Sequence, residues 1–323
     1  MIKTAFIDKA NQLGKSGQPF LFVIDFEMEK PLLIPLDQAA AAGYRYSVKG
    51  QSNAKCTWPK ASGQKKFELK PVSTQRYNQA FDLVKQQLLE GNSYLLNLTF
   101  PTDLQLNFGL EEIFHLAKAP YKLLGKDFVV FSPECFVQIK GNHIFSHPMK
   151  GTIDARIPNA EALILQNKKE TWEHNTIVDL IRNDLSMVAE QVEVTRFRYL
   201  TKIKTHKNEL LQVSSEIRGK LPSDWKSHIG EILMKLLPAG SISGAPKQKT
   251  VEIIQAAESQ TRGYYTGVFG IFDGHSLDSA VMIRFIEQRA NGFRFRSGGG
   301  ITALSQAEEE YQELIDKVYV PII

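Results

Sequence analysis

Residues 128–149 run Phe128-Val129-Val130-Phe131, Ser132-Pro133, Glu134-Cys135-Phe136-Val137-Gln138-Ile139-Lys140, Gly141-Asn142, His143-Ile144-Phe145-Ser146-His147-Pro148-Met149. Short apolar runs alternate here with turn residues. Gly141-Asn142 has the length and type of a two-residue hairpin loop, so Glu134–Lys140 and His143–Met149 are expected to pair antiparallel. That turn sets Glu134 opposite Met149 and leaves Lys150 diagonally near, on the other face. A three-residue loop, or a bulge near Pro148, brings Glu134 and Lys150 to one face instead. Both geometries are open from the sequence alone.

The same alternation of strand and turn extends outward. Strands are expected at Phe20–Ile24, Pro31–Pro35, Tyr94–Phe100, within Leu200–Gly219, and at Gly267–Phe272, Ala280–Arg289 and Phe293–Arg296. Residues 50–66, polar and rich in Lys, Gly and Ser, read as a loop or hairpin tip. Ser73 or Thr74 caps a helix whose Tyr77, Phe81, Val84 and Leu88 share one face and which ends at Gly91. Further helices are expected from about Ala160 to Ile181, at Gly230–Leu237, at Pro246–Glu258 and after Ser305. Hairpins with helices between groups of strands argue for an α+β fold. No Pro/Gly/Ser linker divides the chain, so residues 1–323 are expected to form one domain.

The chain has 323 residues, is 43% hydrophobic and carries a formal charge of +4, enough apolar sequence for a large core and too little charge excess for a nucleic-acid footprint. No run of like charges forms a basic arm. Cys56 and Cys135 stand far apart in no metal or redox spacing, which suits a reducing compartment. No apolar run reaches membrane-spanning length and Met1 to Phe6 leads into polar sequence, so the expectation is a cytoplasmic protein with no membrane partner.

Two acidic pairs have helical spacing: Glu170 with Glu173, and Glu310 with Glu313. Three apart on a helix makes neighbours of each pair. They read either as solvated helix faces or, if all four converge, as oxygen ligands suited to Mg²⁺. On the last helix Ser305-x-x-Glu308 reads as a capping box, and Tyr311, Leu314 and Val318 form the buried stripe. Lys317 is four residues past Glu313, which also permits a plain ion pair. Ser241-Ile242-Ser243-Gly244-Ala245-Pro246-Lys247 opens a helix whose backbone N–H groups suit an anion. It has no nucleotide-loop spacing. Ser297-Gly298-Gly299-Gly300 ends a strand, and three glycines exceed what a turn needs, so they suggest close approach to a ligand. Lys150, in Met149-Lys150-Gly151-Thr152, and Glu134 are unremarked residues when taken singly.

Taken in order, these segments resemble the chorismate-binding enzymes, which comprise aminodeoxychorismate, anthranilate, isochorismate and salicylate synthases. The likeness runs from about residue 74 to 320. It rests on Glu170-x-x-Glu173-His174 with Val178-Asp179-Leu180-Ile181-Arg182-Asn183-Asp184, then Pro238 to Lys247, and then Arg262-Gly263-Tyr264-Tyr265-Thr266-Gly267. Ile283-Arg284, Gly298-Gly299-Gly300 and Glu310-x-x-Glu313-x-x-x-Lys317 complete it. The resemblance implies two antiparallel sheets flanked by helices, a shortened N-terminal part over residues 1–73 and a catalytic core over 74–320.

It further implies chorismate as substrate and Mg²⁺ as cofactor. Glu173 and Glu313 would anchor the ion, and Glu170 and Glu310 would help. Arg284, Tyr265, Ser241, Gly244, Thr152, Lys317 and the backbone of Gly298, Gly299 and Gly300 would hold the substrate. Arg182, Asn183 and Asp184 would be structural, buried and hydrogen-bonded. Lys150 stands where the C4-aminating branch resembles itself in carrying lysine. Leu95 stands where the isochorismate branch carries a water-activating lysine, and an aliphatic group is no base. The expected chemistry is attack by Lys150, held neutral by burial, on C2 of chorismate, with Glu134 as general acid. Ammonia, supplied by a separate glutaminase subunit in a heterodimer, would then displace the lysine at C4. Residues 1–73 are too short for a glutaminase domain and the cysteines lack a Gly-x-Cys-x-Gly elbow. One position departs from the pattern: Gln212 stands where the family usually has histidine. No segment of the tryptophan-feedback type is present.

Overall fold

The computed structural model describes residues 1–54, 66–204 and 209–320. Among them, in chain order, the helices are α1 (Lys3–Lys15), α2 (Thr74–Leu89), α3 (Leu110–Leu116), α4 (Ala160–Gln166), α5 (Lys168–Ser186), α6 (Ile229–Leu236), α7 (Lys247–Glu258) and α8 (Ala307–Asp316). Two nine-stranded sheets carry the rest, and every described strand pair is antiparallel.

The first sheet runs in the order Met149–Asp154, Glu209–Lys220, His143–Ser146, Cys135–Lys140, Leu277–Val281, Val268–Phe272, Phe20–Ile24, Leu32–Pro35, with Glu190–Lys204 also on Glu209–Lys220. The second runs Gly244–Ala245, Leu95–Leu106, Gly292–Ile301, Phe285–Arg289, Phe128–Ser132, Tyr121–Leu124, Arg45–Val48, Gln51–Ser52, with Phe67–Lys70 also on Leu95–Leu106.

Strand parity shows how the layers stack. In Phe20–Ile24, Leu21 and Val23 pack with Tyr46, Leu123, Phe128, Val130 and Phe285 of the second sheet, in the interior of the sandwich. Phe20, Phe22 and Ile24 point the other way, into a cluster with α1, α5 and α6 residues such as Phe6, Val178 and Leu233. A strand buried on both faces reads as a continuous apolar run, which is why this segment shows no alternation. On the outer face of the second sheet, Leu104, Val129 and Phe295 meet Ile113 and Phe114 of α3.

The Gly141-Asn142 hairpin forms with His143 opposite Lys140, as expected. Its pairing ends at Phe145 opposite Gln138, so Glu134 and Met149 never face each other. The chain instead changes sheet at Pro133-Glu134, and Met149–Asp154 lies on Glu209–Lys220, with Met149 opposite Ser214. A register shift between Met149 and Thr152 is a bulge against Glu209–Lys220, not in the hairpin where the sequence left one open, with Gly151 at φ 90° supplying its left-handed backbone.

Other expectations need correction. The segment Ala280–Arg289 is two strands in different sheets, separated by Met282-Ile283-Arg284, with Arg284 at φ 54°. The helix expected over 160–181 breaks at Asn167, whose side chain accepts from the Glu170 N–H and so starts α5. The cap of α8 is Gln306, not Ser305. The Ser305 hydroxyl donates to Glu310 Oε1 at 2.7 Å instead of capping the helix. Helix α1 was not expected, although Phe6, Ala10 and Leu13 have its spacing. Ser73 caps α2 as read, accepting from the Arg76 N–H. Most of the 50–66 loop, and Cys56, lie outside the described residues.

Candidate active site

The two sheet changes place the site. Glu134 lies in one crossing and Arg284 in the other, and both border a cleft of about 420 Å³ where the sheets part. Helices α5 and α8 bring their acidic faces to the same cleft, so Glu170, Glu173, Glu310 and Glu313 all line it. Lys150, Thr152, Ser241, Tyr265 and Lys317 line it too, as do Gly298 and Gly300.

Lys150 emerges from the bulged strand with Nζ 2.7 Å from Glu173 Oε2. Burial alone would lower the lysine, but the Glu173, Glu170 and Glu313 carboxylates outweigh it and hold the ammonium above the ordinary lysine range. This corrects the expectation of a lysine kept neutral by burial. Nor is Lys150 in a couple with Glu134, whose hydrogen-bond partner is a different residue. Ser241 donates its hydroxyl to Glu134 Oε1 at 2.5 Å. Burial pushes the Glu134 carboxyl up, and the Ser241 hydrogen bond and the Arg284 and Lys317 cations pull it partly back. A carboxyl so placed keeps its proton to higher pH than an exposed one.

Lys317, one turn beyond Glu313, lies 2.5 Å from its Oε1 and also donates to the Gly298 carbonyl at 2.8 Å. Arg284 stacks over Tyr319 at 5.2 Å, and its Nε has no hydrogen-bond partner among the described residues. Tyr265 is 3% exposed, with its hydroxyl pushed up to about 12 by burial, so it serves as a neutral donor.

The glycines divide by role. Gly298, Gly299 and Gly300 lie within the strand Gly292–Ile301, not past its end, opposite Thr99, Leu98 and Asn97. A Cβ on Gly299 would meet Glu310 and Glu313 at 3.1 and 3.5 Å, and one on Gly300 would approach Leu95 at 3.2 Å and the Lys150 amine at 3.9 Å. Side chains here would fill the space between the two acidic helices and the lysine. Gly244 does not line the cleft. At φ 136° it pairs with Leu96, and a Cβ there would lie 1.9 Å from the Leu95 carbonyl oxygen, so its part is backbone approach. From the segment Ser241–Lys247 only Ser241 and Ile242 reach the cleft.

Several neighbours escaped the sequence reading. Asn97, Ile177 and Arg296 also line the cleft. Arg296 is 6% exposed and is held by Glu287 at 3.0 Å. Beneath the cleft Arg262 and Glu258, each with its side chain 1% exposed, form an ion pair at 2.6 Å. Arg262 donates to the carbonyls of Ile242 and Asn97, and Glu258 accepts from the Thr99 N–H and hydroxyl. The Arg-Gly-Tyr-Tyr segment therefore ties two walls together. Of the trio assigned to structure, only Asp184 is buried. Arg182 and Asn183 are exposed, because they fall on the solvent side of α5.

The donor set fits Mg²⁺ in kind: four carboxylates from two helices, facing a cleft that also carries cations for an anionic substrate. Among the described residues no three His, Cys, Asp or Glu side chains already converge on one point. Glu173 and Glu313 are turned to Lys150 and Lys317, and the ion would replace those lysines as their partner.

The fold is that of solved isochorismate synthases. It matches the menaquinone-specific isochorismate synthase MenF of Escherichia coli with a TM-score of 0.73 at 15% identity, over 97% of this chain and 80% of that one. Residues 34–322 match the family model described as chorismate binding enzyme. The chain belongs to the chorismate-binding enzymes. It is 59% identical to an uncharacterised PabA-like protein of Pasteurella multocida, over 98% of both chains. It is 31% identical to aminodeoxychorismate synthase component 1 of Bacillus subtilis, over 77% of this chain and 55% of the relative. It is 33% identical to anthranilate synthase component 1 of Arthrobacter globiformis, over 71% of this chain and 42% of the relative. Among the described residues no helix is long and apolar enough to cross a membrane.

Proposed function

We propose that this chorismate-utilising enzyme aminates chorismate at C4, giving 4-amino-4-deoxychorismate with ammonia drawn from a glutaminase partner. The observation that carries the reading is Lys150 inside the cleft beside Leu95, the two approaching Gly300 together. A primary amine is present to attack the ring. No base stands at the Leu95 position to activate water there. The Bacillus subtilis relative, named aminodeoxychorismate synthase component 1, supports the same reading.

In this mechanism Lys150 first loses to solvent the proton that Glu173 favours. Its free amine bonds to C2, the two conjugated ring double bonds shift, and the C4–O bond breaks as Glu134 donates a proton, releasing water. Ammonia then bonds to C4, both double bonds shift back, and the C2–N bond returns its electrons to Lys150. The proton shed by the new ammonium goes back to Glu134. Arg284, Lys317, Ser241, Tyr265 and Thr152 orient the substrate carboxylates and enolpyruvyl arm. Glu173 and Glu313, with Glu170 and Glu310, would hold Mg²⁺, which supplies positive charge for a substrate carboxylate. Gln212 lines the cleft on the strand opposite Thr152 and can hydrogen-bond but not exchange protons.

The second reading, C2 amination with loss of pyruvate, is favoured by the likeness to anthranilate synthase component 1. Incubation with chorismate, Mg²⁺ and ammonium, with products resolved by mass, decides between them. Retention of the enolpyruvyl group with amine at C4 is expected. A fluorescent aromatic amine with released pyruvate would establish the second reading.

A further inference from the structure

We propose that Asp184 is a positioning residue for Glu134, acting through the Gly240–Ser241 turn. The inference rests on the reading of Glu134 as the acid and adds a residue that touches neither substrate nor Glu134 itself.

The turn Gly240–Ile242 is a single 3₁₀ turn, with no periodic structure of its own to fix the Ser241 side chain. It is gripped on both sides. Behind it the Gly240 N–H donates to the Asp184 carboxylate, and Asp184 Oδ2 lies so close that a Cβ on Gly240 would be 2.8 Å from it. Ahead of it the Ile242 carbonyl accepts from Arg262 Nη1 at 3.0 Å. Ser241, between these two anchors, reaches Glu134 Oε1 at 2.5 Å.

Asp184 is itself fixed. It is 8% exposed and lies 2.9 Å from Lys247 Nζ, which also donates to the Leu236 carbonyl at 3.0 Å. Lys247 thus joins the C-terminus of α6 to the start of α7 and closes the loop that carries Ser241. Glu134, Ser241 and Asp184 border one small cavity of about 20 Å³ behind the cleft, its other walls mostly apolar, including Phe136, Val137 and Leu185.

The groups facing Glu134 are the Ser241 hydroxyl, the Arg284 and Lys317 cations and the neighbouring Cys135 thiol. Of these only Ser241 depends on the turn that Asp184 holds. Loss of the Asp184 grip should therefore weaken one donor to the ionised carboxylate and leave the two cations in place. The Glu134 carboxyl should then titrate at higher pH.

The test is the titration of the Glu134 carboxyl in the whole chain, read by difference infrared spectroscopy against Glu134→Gln. It needs no turnover, so it is independent of which product forms. Asp184→Ala is expected to raise the midpoint by the same increment as Ser241→Ala, and the double variant by no more than either alone. Asp184→Asn, which keeps an acceptor for Gly240 but loses the charge facing Lys247, is expected to raise it by less. In turnover, the limb on which activity falls as pH rises should move upward in the same order. An unchanged midpoint in both Asp184 variants overturns the proposal, as does an additive double variant. If Asp184→Ala does not fold, the midpoint of Asp184→Asn decides.

Discussion

Lys150 Nζ lies 2.7 Å from Glu173 Oε2, joining a cation of the first sheet to the acidic face of α5. The nucleophile of the proposed reaction and an anchor of the proposed metal site are thus each other's partners. A lysine in this position is an ammonium, and it becomes a nucleophile only when the carboxylate's hold is relieved. Lys150→Ala is expected to lower C4 amination by about 100-fold or more, the low end for removing a group that handles bonds or protons at the reacting atoms. Intact-mass analysis during turnover should show the wild-type chain, and not the variant, carrying the ring. Wild-type rates of C4 amination by Lys150→Ala would reduce the lysine to a binding residue.

Glu173→Gln and Glu313→Gln each remove one formal charge at nearly constant shape. Each is expected to raise the Mg²⁺ concentration for half-maximal turnover by roughly tenfold or more, since even outer-sphere partners of metal sites are worth about 10–100-fold. Mg²⁺ titration of the initial rate gives the comparison. An unaltered Mg²⁺ dependence in Glu313→Gln would remove it from the metal site.

Much of this arrangement was legible in the sequence because it rests on local rules. Ser73 capping α2, the Gly141-Asn142 turn and the three-residue spacing of each glutamate pair are read from a few neighbouring positions. What escaped is non-local. Nothing in Ala280–Arg289 announces that the chain leaves one sheet at Val281 and enters another at Phe285, because both pieces have the same strand composition. For the same reason Glu134 reads as a strand residue when it is a crossing residue. Arg296 reads as one strand cation among several, and only the pairing of Phe285 with Arg296 brings it beside Arg284. Lys150 looked like a candidate for burial-driven neutrality because a sequence does not show which carboxylates will face a buried lysine.

The Arg262–Glu258 pair beneath the cleft should matter more to stability than any exposed ion pair here. Arg262→Leu leaves the Glu258 carboxylate buried with only the Thr99 donors, and the expected loss is about 3–5 kcal/mol. Urea unfolding with a fixed m-value measures it. Removing both charges, Arg262→Leu with Glu258→Leu, should cost less than the single change. A loss under about 1 kcal/mol for Arg262→Leu would place the pair with exposed bridges.

Ammonia, not glutamine, is the expected nitrogen source for this chain by itself. Cys135 is the free thiol among the described residues, and burial pushes it up to about 12, so it is not a thiolate at neutral pH. Amination should proceed with ammonium and rise with pH as more free ammonia is present. Glutamine should be used only when a glutaminase is added. Glutamine-driven turnover by the rigorously purified chain would show that it hydrolyses the amide itself.

Glu134 ties stability to pH in a direction that can be signed. Burial raises its folded-state pKa above the unfolded value. The folded chain therefore binds that proton more tightly than the unfolded chain. The contribution is fully favourable below the ordinary carboxyl range and is lost as pH rises through the unfolded and then the folded pKa. Once ionised, the buried carboxylate is a cost to stability, while the proposed chemistry uses the carboxyl in its protonated form. Glu134→Gln keeps the shape, still accepts the Ser241 hydroxyl and has nothing to ionise. It is expected to abolish C4 amination while raising the thermal midpoint at pH 7. At a pH below the carboxyl range the variant should lose that advantage. Calorimetric scans of both chains across this window test the sign, and a Glu134→Gln chain less stable than wild type at pH 7 would mean that Arg284 and Lys317 need the negative charge more than burial opposes it.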